Sequence, residues 1–287
     1  MSTRAESQPD PVEAGPGVLE QGELTYLDYL KVPQLLSLQV PRSSPPHHDE
    51  MLFIVIHQAY ELWFKLILHE LDYAILYMQQ NQVLRAHHFM RRVVAILNLL
   101  VKQIHILETM TPAEFLQFRE RLSPASGFQS IQFREIELVA GLRDRRYLEI
   151  FRNRPDMAEP LRARLDKPDL PGAYYGMLRN LGYAIPEGFP PADREPAEAE
   201  RQAVLQALLQ IYQEPDQNLA LYRLSEALVD FDEQLALWRS HHVLVVERII
   251  GGKPGTGGSS GVSYLASTLG KRCFPLLWEV RTWLEKP

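Results

Sequence analysis

The 287 residues carry 36 Asp and Glu against 30 Lys and Arg, a net charge of −6, and 46 % of them are hydrophobic. That balance excludes global disorder, and a negative chain with scattered basic residues has no electrostatic footprint for nucleic acid. A single cysteine, Cys273, excludes an intrachain disulfide and Cys-rich zinc or iron–sulfur ligation, and fits a reducing, cytoplasmic setting.

In chain order, the first 17 residues, MSTRAESQPDPVEAGPG, are rich in Pro, Gly and acid, lack a signal-peptide core, and read as a disordered tail. Residues 24–39 read as a short helix interrupted at Pro33, with a Pro/Ser-rich loop following to Pro46. Residues 47–72, HHDEMLFIVIHQAYELWFKLILHELD, are apolar on much of a helical circumference. They predict a long, largely buried helix that Asp49 can cap and that reaches to about residue 80. Even so, no apolar run is read as approaching the ~18 residues a membrane span needs, so no membrane is expected. A second long helix is predicted over 83–108, with LNLLVKQIHIL as its apolar stripe. Thr111-Pro112-Ala113-Glu114 is a strong start signal, a capping-box threonine with proline at the first helical position.

That helix ends at Leu122, and another follows over 131–142. Residues 143–196 hold many of the prolines and shorter helical pieces at 147–152 and 173–181, and read as a helical insertion packed on the core. Long periodicity returns over 198–212 and 219–250. Next come the Gly-rich stretch GGKPGTGGSSGV (251–262) and two short final helices, with Cys273 as core filler beside Phe274. No segment alternates with period 2, and no 20–50-residue repeat occurs. The expected fold is all-α, with residues 18–287 as one large helical domain.

Several constellations could carry chemistry. His57 lies four residues after Phe53 and shares its helix face, with Tyr60 one turn on, as in the wall of a pocket for something flat and partly polar. A satisfied core histidine would look the same. His241 and His242 end a long helix in LALWRSHHVLVVERII. Trp238 and Val246 share the face of His242, so His242 is the inward candidate and His241 the more exposed one. Two histidines on two long helices could flank a cofactor, or be unrelated buried imidazoles. Glu-x-x-His and HExxH are both absent; His48-Asp49-Glu50 could begin a two-histidine, one-carboxylate iron site, but reads more simply as solvated helix capping. The Gly-rich stretch completes neither a Walker motif nor a dinucleotide fingerprint; its amides and the hydroxyls of Thr256, Ser259 and Ser260 could fold over an anionic group, or it could be a linker. Phe115 and Arg119, four apart, set an aromatic surface beside a guanidinium that could clamp a carboxylate or sit in a surface ion pair.

LTYLDYL, HHDEMLFIVIHQAYELWFKL, FRERLSPASGFQS, LWRSHH and GTGGSSGV occur in this order between about residues 24 and 283. Together they resemble the tryptophan 2,3-dioxygenases, heme enzymes that open the indole ring of L-tryptophan. The resemblance implies one heme b per subunit, held by His242 as axial iron ligand with Ser126 close to its edge. It implies His57 as the catalytic residue contacting the indole N–H, and Phe53 and Phe115 as aromatic walls; some members carry tyrosine where Phe115 stands. Arg119 would pair with the substrate carboxylate, and Thr256 would contact its ammonium and carboxylate. Tyr26, Tyr29 and Leu30 would reach into a neighbouring subunit's pocket, in an N-terminal arm exchanged within a cytoplasmic homotetramer built as a dimer of dimers. The implied reaction uses L-tryptophan and O2 to give N-formylkynurenine, the first step of catabolism through kynurenine. Two other outcomes stay open: a related heme monooxygenase inserting one oxygen into tryptophan or a substituted tryptophan, and a non-catalytic heme or tryptophan sensor.

Overall fold

The structure is a computed structural model that describes residues 22–190 and 195–285, so the tail expected over residues 1–17 lies outside the described residues. Among the described residues every regular element is helical and none is a strand, as the periodicity predicts. The chain divides into two units, residues 1–40 and 41–287.

The described part of the N-terminal unit holds α1 (Tyr26–Leu30) and α2 (Val32–Leu35). Thr25 caps α1 in a reciprocal box with Asp28. The break between the two helices falls at Lys31, not at Pro33. Lys31 adopts a left-handed conformation (φ 53°), while Pro33 sits in the first turn of α2, where a missing N–H costs nothing.

The larger unit is organised on three long helices, α3 (His48–Gln79), α4 (Val83–Leu107) and α11 (Leu219–Ile250). The three-residue link between α3 and α4 forces them antiparallel, and α4 packs between α3 and α11. At 1.5 Å per residue the 32-residue α3 is about 48 Å long. Its N-cap is His47, whose ring nitrogen accepts from the Asp49 amide; Asp49 itself lies in the first turn, favourable there for its charge.

α3 departs from expectation in one respect. It is long and apolar enough to cross a membrane by length and composition, with an 18-residue window of mean hydropathy 1.4, of which only 28 % is buried. Ile67, Leu71 and Ala74 are sealed in the core, while Met51, Val55 and Leu62 lie on an open stripe. The run is apolar nearly all round because it serves a core on one side and leaves an apolar stripe open on the other, with Lys65 and Asp72 exposed farther along.

α5 (Pro112–Leu122) has the expected capping box, Thr111 with Glu114. α6 (Ile131–Val139) packs against α3. Residues 143–190 contain α7 (Arg146–Ile150), α8 (Pro155–Leu165) and α9 (Leu170–Asn180). α7 and α8 centre a separate cluster around Tyr147, Phe151 and Leu161, whereas α9 packs on α3 and buries Leu170, Tyr174 and Leu178 in the main core. α8 carries Pro160 in its interior, which hides it from a periodicity reading. α10 (Glu198–Gln213), α12 (Val262–Ala266) and α13 (Pro275–Glu279) complete the unit. Cys273 is buried as expected, beside an Asp232 carboxylate that accepts from the Cys273 and Phe274 amides and the Trp278 indole.

Candidate active site

A cavity of ≈ 260 Å³ opens between α3, α5, α6, α11 and the Gly-rich loop of the larger unit. Phe53, His57, Phe115, Arg119, Ser126, His242 and Thr256 all line it. Tyr26, Tyr29 and Leu30 belong to the N-terminal unit, where they are exposed.

One wall is aromatic. The rings of Phe53 and His57 lie 4.1 Å apart on adjacent turns of α3, and Phe115 stacks on Phe53 at 5.8 Å. Phe118 closes the cluster edge-on to Phe115 at 5.4 Å. His57 Nδ1 lies 2.7 Å from the Phe53 carbonyl oxygen. A carbonyl only accepts, so Nδ1 carries the proton, and in the neutral ring Nε2 is a bare acceptor. Burial pulls the imidazole below its ordinary value, against the Phe53 carbonyl and the nearby Glu61 charge, which favour the cation. The neutral form is therefore the resting one. Glu61 lines the cavity one turn further along, its carboxylate taking Ser130 Oγ (2.6 Å) and Gln132 Nε2 (2.8 Å).

A second wall is polar and incompletely paired. His242 packs against Trp238 at 5.0 Å, on the face their four-residue spacing predicts. It forms no hydrogen bond with the described residues. Burial above all, with Arg134 and the neighbouring His57 site disfavouring a further positive charge, pushes its imidazole down to about 4, so it stands neutral. Its neighbour His241 turns away to α4, edge-on to His105 at 5.0 Å.

Around Glu137 two buried guanidiniums converge. Arg134 Nη1 donates to Glu137 Oε2 (2.6 Å) and Arg239 Nη2 to Glu137 Oε1 (3.2 Å). Two cations against one carboxylate leave this group a net positive charge. Moreover, among the described residues Arg134 Nε and Arg239 Nε and Nη1 are buried without a hydrogen-bond partner. Buried donors left this way are costly unless a ligand takes them. Arg134, Glu137 and Arg239 are the site residues that sequence reasoning missed. Arg239 lies three residues before His242 and so near its face, a usable signal; Arg134 and Glu137 read as an ordinary i,i+3 surface pair.

The third wall is the loop that follows α11. Thr256 Oγ1 donates to the Ala125 carbonyl (2.6 Å), and Arg119 Nη2 to the Pro254 carbonyl (2.5 Å). Gly257 rests so close to Ser126 that a Cβ there would meet the serine Cβ at 2.6 Å. Ser126 in turn caps the short 3-10 turn at Gly127–Gln129. His48-Asp49-Glu50 makes no metal site. The exposed His48 ring pairs with Asp49, whereas Glu50 is buried and accepts from the Arg42 and Ser43 amides. Among the described residues no cluster of three metal-ligating side chains occurs.

Comparison with known proteins places the chain in a family. A sequence profile of the tryptophan 2,3-dioxygenase family matches residues 10–169 and 195–284. The chain belongs to that family. A tryptophan 2,3-dioxygenase of Nocardioides sp. is 48 % identical over 271 residues, covering 92 % of this chain and 97 % of the relative. One from Herpetosiphon aurantiacus is 48 % identical over 90 % of the chain and 97 % of its own length. Another, from Myxococcus xanthus, is 42 % identical over 95 % and 94 %. The aromatic, polar and loop walls line one cavity.

Proposed function

We propose that this chain is a heme-dependent dioxygenase that adds both atoms of O2 across the indole C2–C3 bond of L-tryptophan, giving N-formylkynurenine. The observation that carries the reading is the make-up of one cavity: a neutral, unbonded imidazole and orphaned guanidinium donors, an aromatic slot with one acceptor, and a loop bearing cation-and-hydroxyl contacts. Heme fits the first set. Heme iron would take a neutral imidazole nitrogen, which His242 offers with no hydrogen bond from the described residues competing for it, and heme carboxylates would match the unpaired N–H groups of Arg134 and Arg239. When bound, heme supplies the O2 chemistry.

This chain's own residues bind and orient the substrate. Phe53 and Phe115 give the indole two apolar surfaces and keep water from it. His57 Nε2, left as an acceptor by the bond at Nδ1, receives the indole N–H. Arg119 uses one N–H on the Pro254 carbonyl and keeps others for a carboxylate. Thr256 spends its proton on the Ala125 carbonyl, so its oxygen faces the ammonium as an acceptor. Ser126 seats the loop that carries Thr256 near the cofactor edge.

Assembly as a cytoplasmic homotetramer accounts for the open apolar stripe of α3 and for Tyr26, Tyr29 and Leu30, which are 73, 73 and 45 % exposed. Such aromatic surface is best buried on a neighbouring subunit. Light scattering and turnover of a chain lacking residues 1–31 test this: weaker association and lower activity support it, while an active monomer overturns it.

The activity itself is tested by loading the protein with heme, reducing it anaerobically, adding tryptophan and O2, and weighing the product. A product heavier than tryptophan by two oxygen atoms is expected. A gain of one oxygen would replace the dioxygenase reading with single-oxygen insertion, and no oxygenated product would overturn both.

A further inference from the structure

The polar wall and the loop wall of the cavity are joined by two tyrosines. Tyr264 sits on α12, three residues after Gly261 ends the Gly-rich loop. Gly261 (φ 64°) is held so close to the Lys253 carbonyl oxygen that a Cβ would meet it at 2.7 Å, so the two ends of the loop are pinned together there. The Tyr264 hydroxyl lies 2.7 Å from that of Tyr147 on α7, and the Tyr147 hydroxyl accepts from Arg134 Nη1 at 2.8 Å. Phe128 holds the set in register, with Tyr147 at 5.7 Å, Tyr264 at 5.6 Å and the Arg134 guanidinium at 5.3 Å from its ring. Burial raises the Tyr147 phenol far above its ordinary value, so its proton is retained at any working pH.

Two further tethers fix the other half of the loop, Arg119 to Pro254 and Thr256 to Ala125. Both come from side chains that, on the function proposed above, also serve the substrate. The tyrosine pair is different: it leads to Arg134, which shares Glu137 with Arg239 and still holds an unpaired donor. A ligand that draws on that donor acts on the same guanidinium that anchors Tyr147.

We propose that Tyr147 and Tyr264 are positioning residues, whose hydroxyl pair ties the foot of the Gly-rich loop to Arg134 and so couples closure of the loop over the amino acid to occupation of the guanidinium pocket by the cofactor's carboxylates. Neither tyrosine is required to touch the reacting atoms. The coupling rests on the heme reading, but the tie between loop and Arg134 does not.

Amide hydrogen exchange over residues 251–261 tests it in the full-length chain, heme-stripped and heme-loaded, for the parent protein, Tyr264→Phe, Tyr147→Phe and the double variant. Phenylalanine keeps the ring contacts with Phe128 and removes only the hydroxyl. In stripped protein Tyr264→Phe should speed loop exchange about threefold or more, the scale of one hydrogen bond. Heme should slow loop exchange in the parent and do so less in each variant. The double variant should match the single ones, because both break the same chain. In turnover, Tyr264→Phe should raise KM for tryptophan with kcat and heme content nearly unchanged. Loop exchange in stripped Tyr264→Phe that stays within threefold of the parent, or single effects that add in the double variant, overturns the inference. If Tyr147→Phe fails to fold because Arg134 loses an acceptor, Tyr264→Phe, which leaves that bond in place, carries the test. Failure of the parent to bind heme would defeat the functional reading and with it the coupling, while the exchange of the stripped chains would still judge the tie.

Discussion

The two histidine-bearing walls of the cavity are built on opposite principles. His57 is satisfied locally: its Nδ1 bonds the carbonyl of Phe53 one turn back, and the same turn supplies the ring it packs on. His242 has no hydrogen bond among the described residues, and around it Arg134 and Arg239 keep buried donors unpaired there. A wall completed by its own helix is ready to receive a substrate without rearrangement. The wall around His242 is poor as a protein interior, and makes sense as half of an interface whose other half is a ligand. Substitutions on each wall test the contrast.

The largest effect belongs to His242. On the function proposed above, His242→Ala removes the iron ligand and should abolish heme retention, read as loss of the Soret band in purified protein. His241→Ala, altering a ring that packs on His105 instead, should keep most of the heme. Reversal of the two results would reassign the ligand. On the aromatic wall, His57→Ala should leave heme content near that of the parent. Arg119→Ala comes next. On the proposed function it removes the charge partner of the substrate carboxylate, a loss of about 2–5 kcal/mol for such pairs, or roughly 30-fold to several thousand-fold in kcat/KM. Heme content should not change, and a variant with near-parent kcat/KM would free Arg119 of the role.

How far each wall could be read from sequence follows from how local it is. The α3 wall was legible because Phe53, His57 and the helix that carries them are fixed by one periodic run. The capping box of α5 likewise announced the helix that presents Phe115 and Arg119. The guanidinium pair was not legible, since it depends on α6 and α11 meeting across more than a hundred residues, and charge on two amphipathic helices ordinarily means solvent. α8 escaped because Pro160 interrupts its pattern, and the open stripe of α3 because apolarity alone does not say which face is covered. At Lys31 the break came from a left-handed backbone that no residue type there signals.

Arg239→Met probes the unfinished wall more finely. In stripped protein it deletes two orphaned donors and also the donor to Glu137 Oε1, leaving Arg134 and Glu137 as a neutral pair, so the opposing effects should leave stability within about 1–2 kcal/mol of the parent. Heme affinity should nevertheless fall by about 10–100-fold, the scale of one charge-assisted hydrogen bond. Thermal melts of the stripped chain and heme titration separate the two effects. A variant that loses stability without losing affinity would make the cluster structural and end its role as a ligand site.

The smallest effect concerns pH and tests the completed wall. If His57 accepts the indole N–H, the imidazole must be neutral, because a protonated ring would set donor against donor. Burial holds His57 below the ordinary 6.5, so on acidification from neutrality the ring stays neutral through 6.5 and charges only at lower pH. The acid limb of kcat/KM for tryptophan should therefore lie on the acid side of 6.5, with a flat profile above it. Glu61 opposes this shift, since its negative charge favours the imidazolium. Glu61→Gln should accordingly move the limb to still lower pH, with the Ser130 hydroxyl retained as a donor to the amide oxygen. A limb at or above 6.5, or one that Glu61→Gln moves upward, would mean that some other group sets the pH dependence and that His57 does not act as the neutral acceptor.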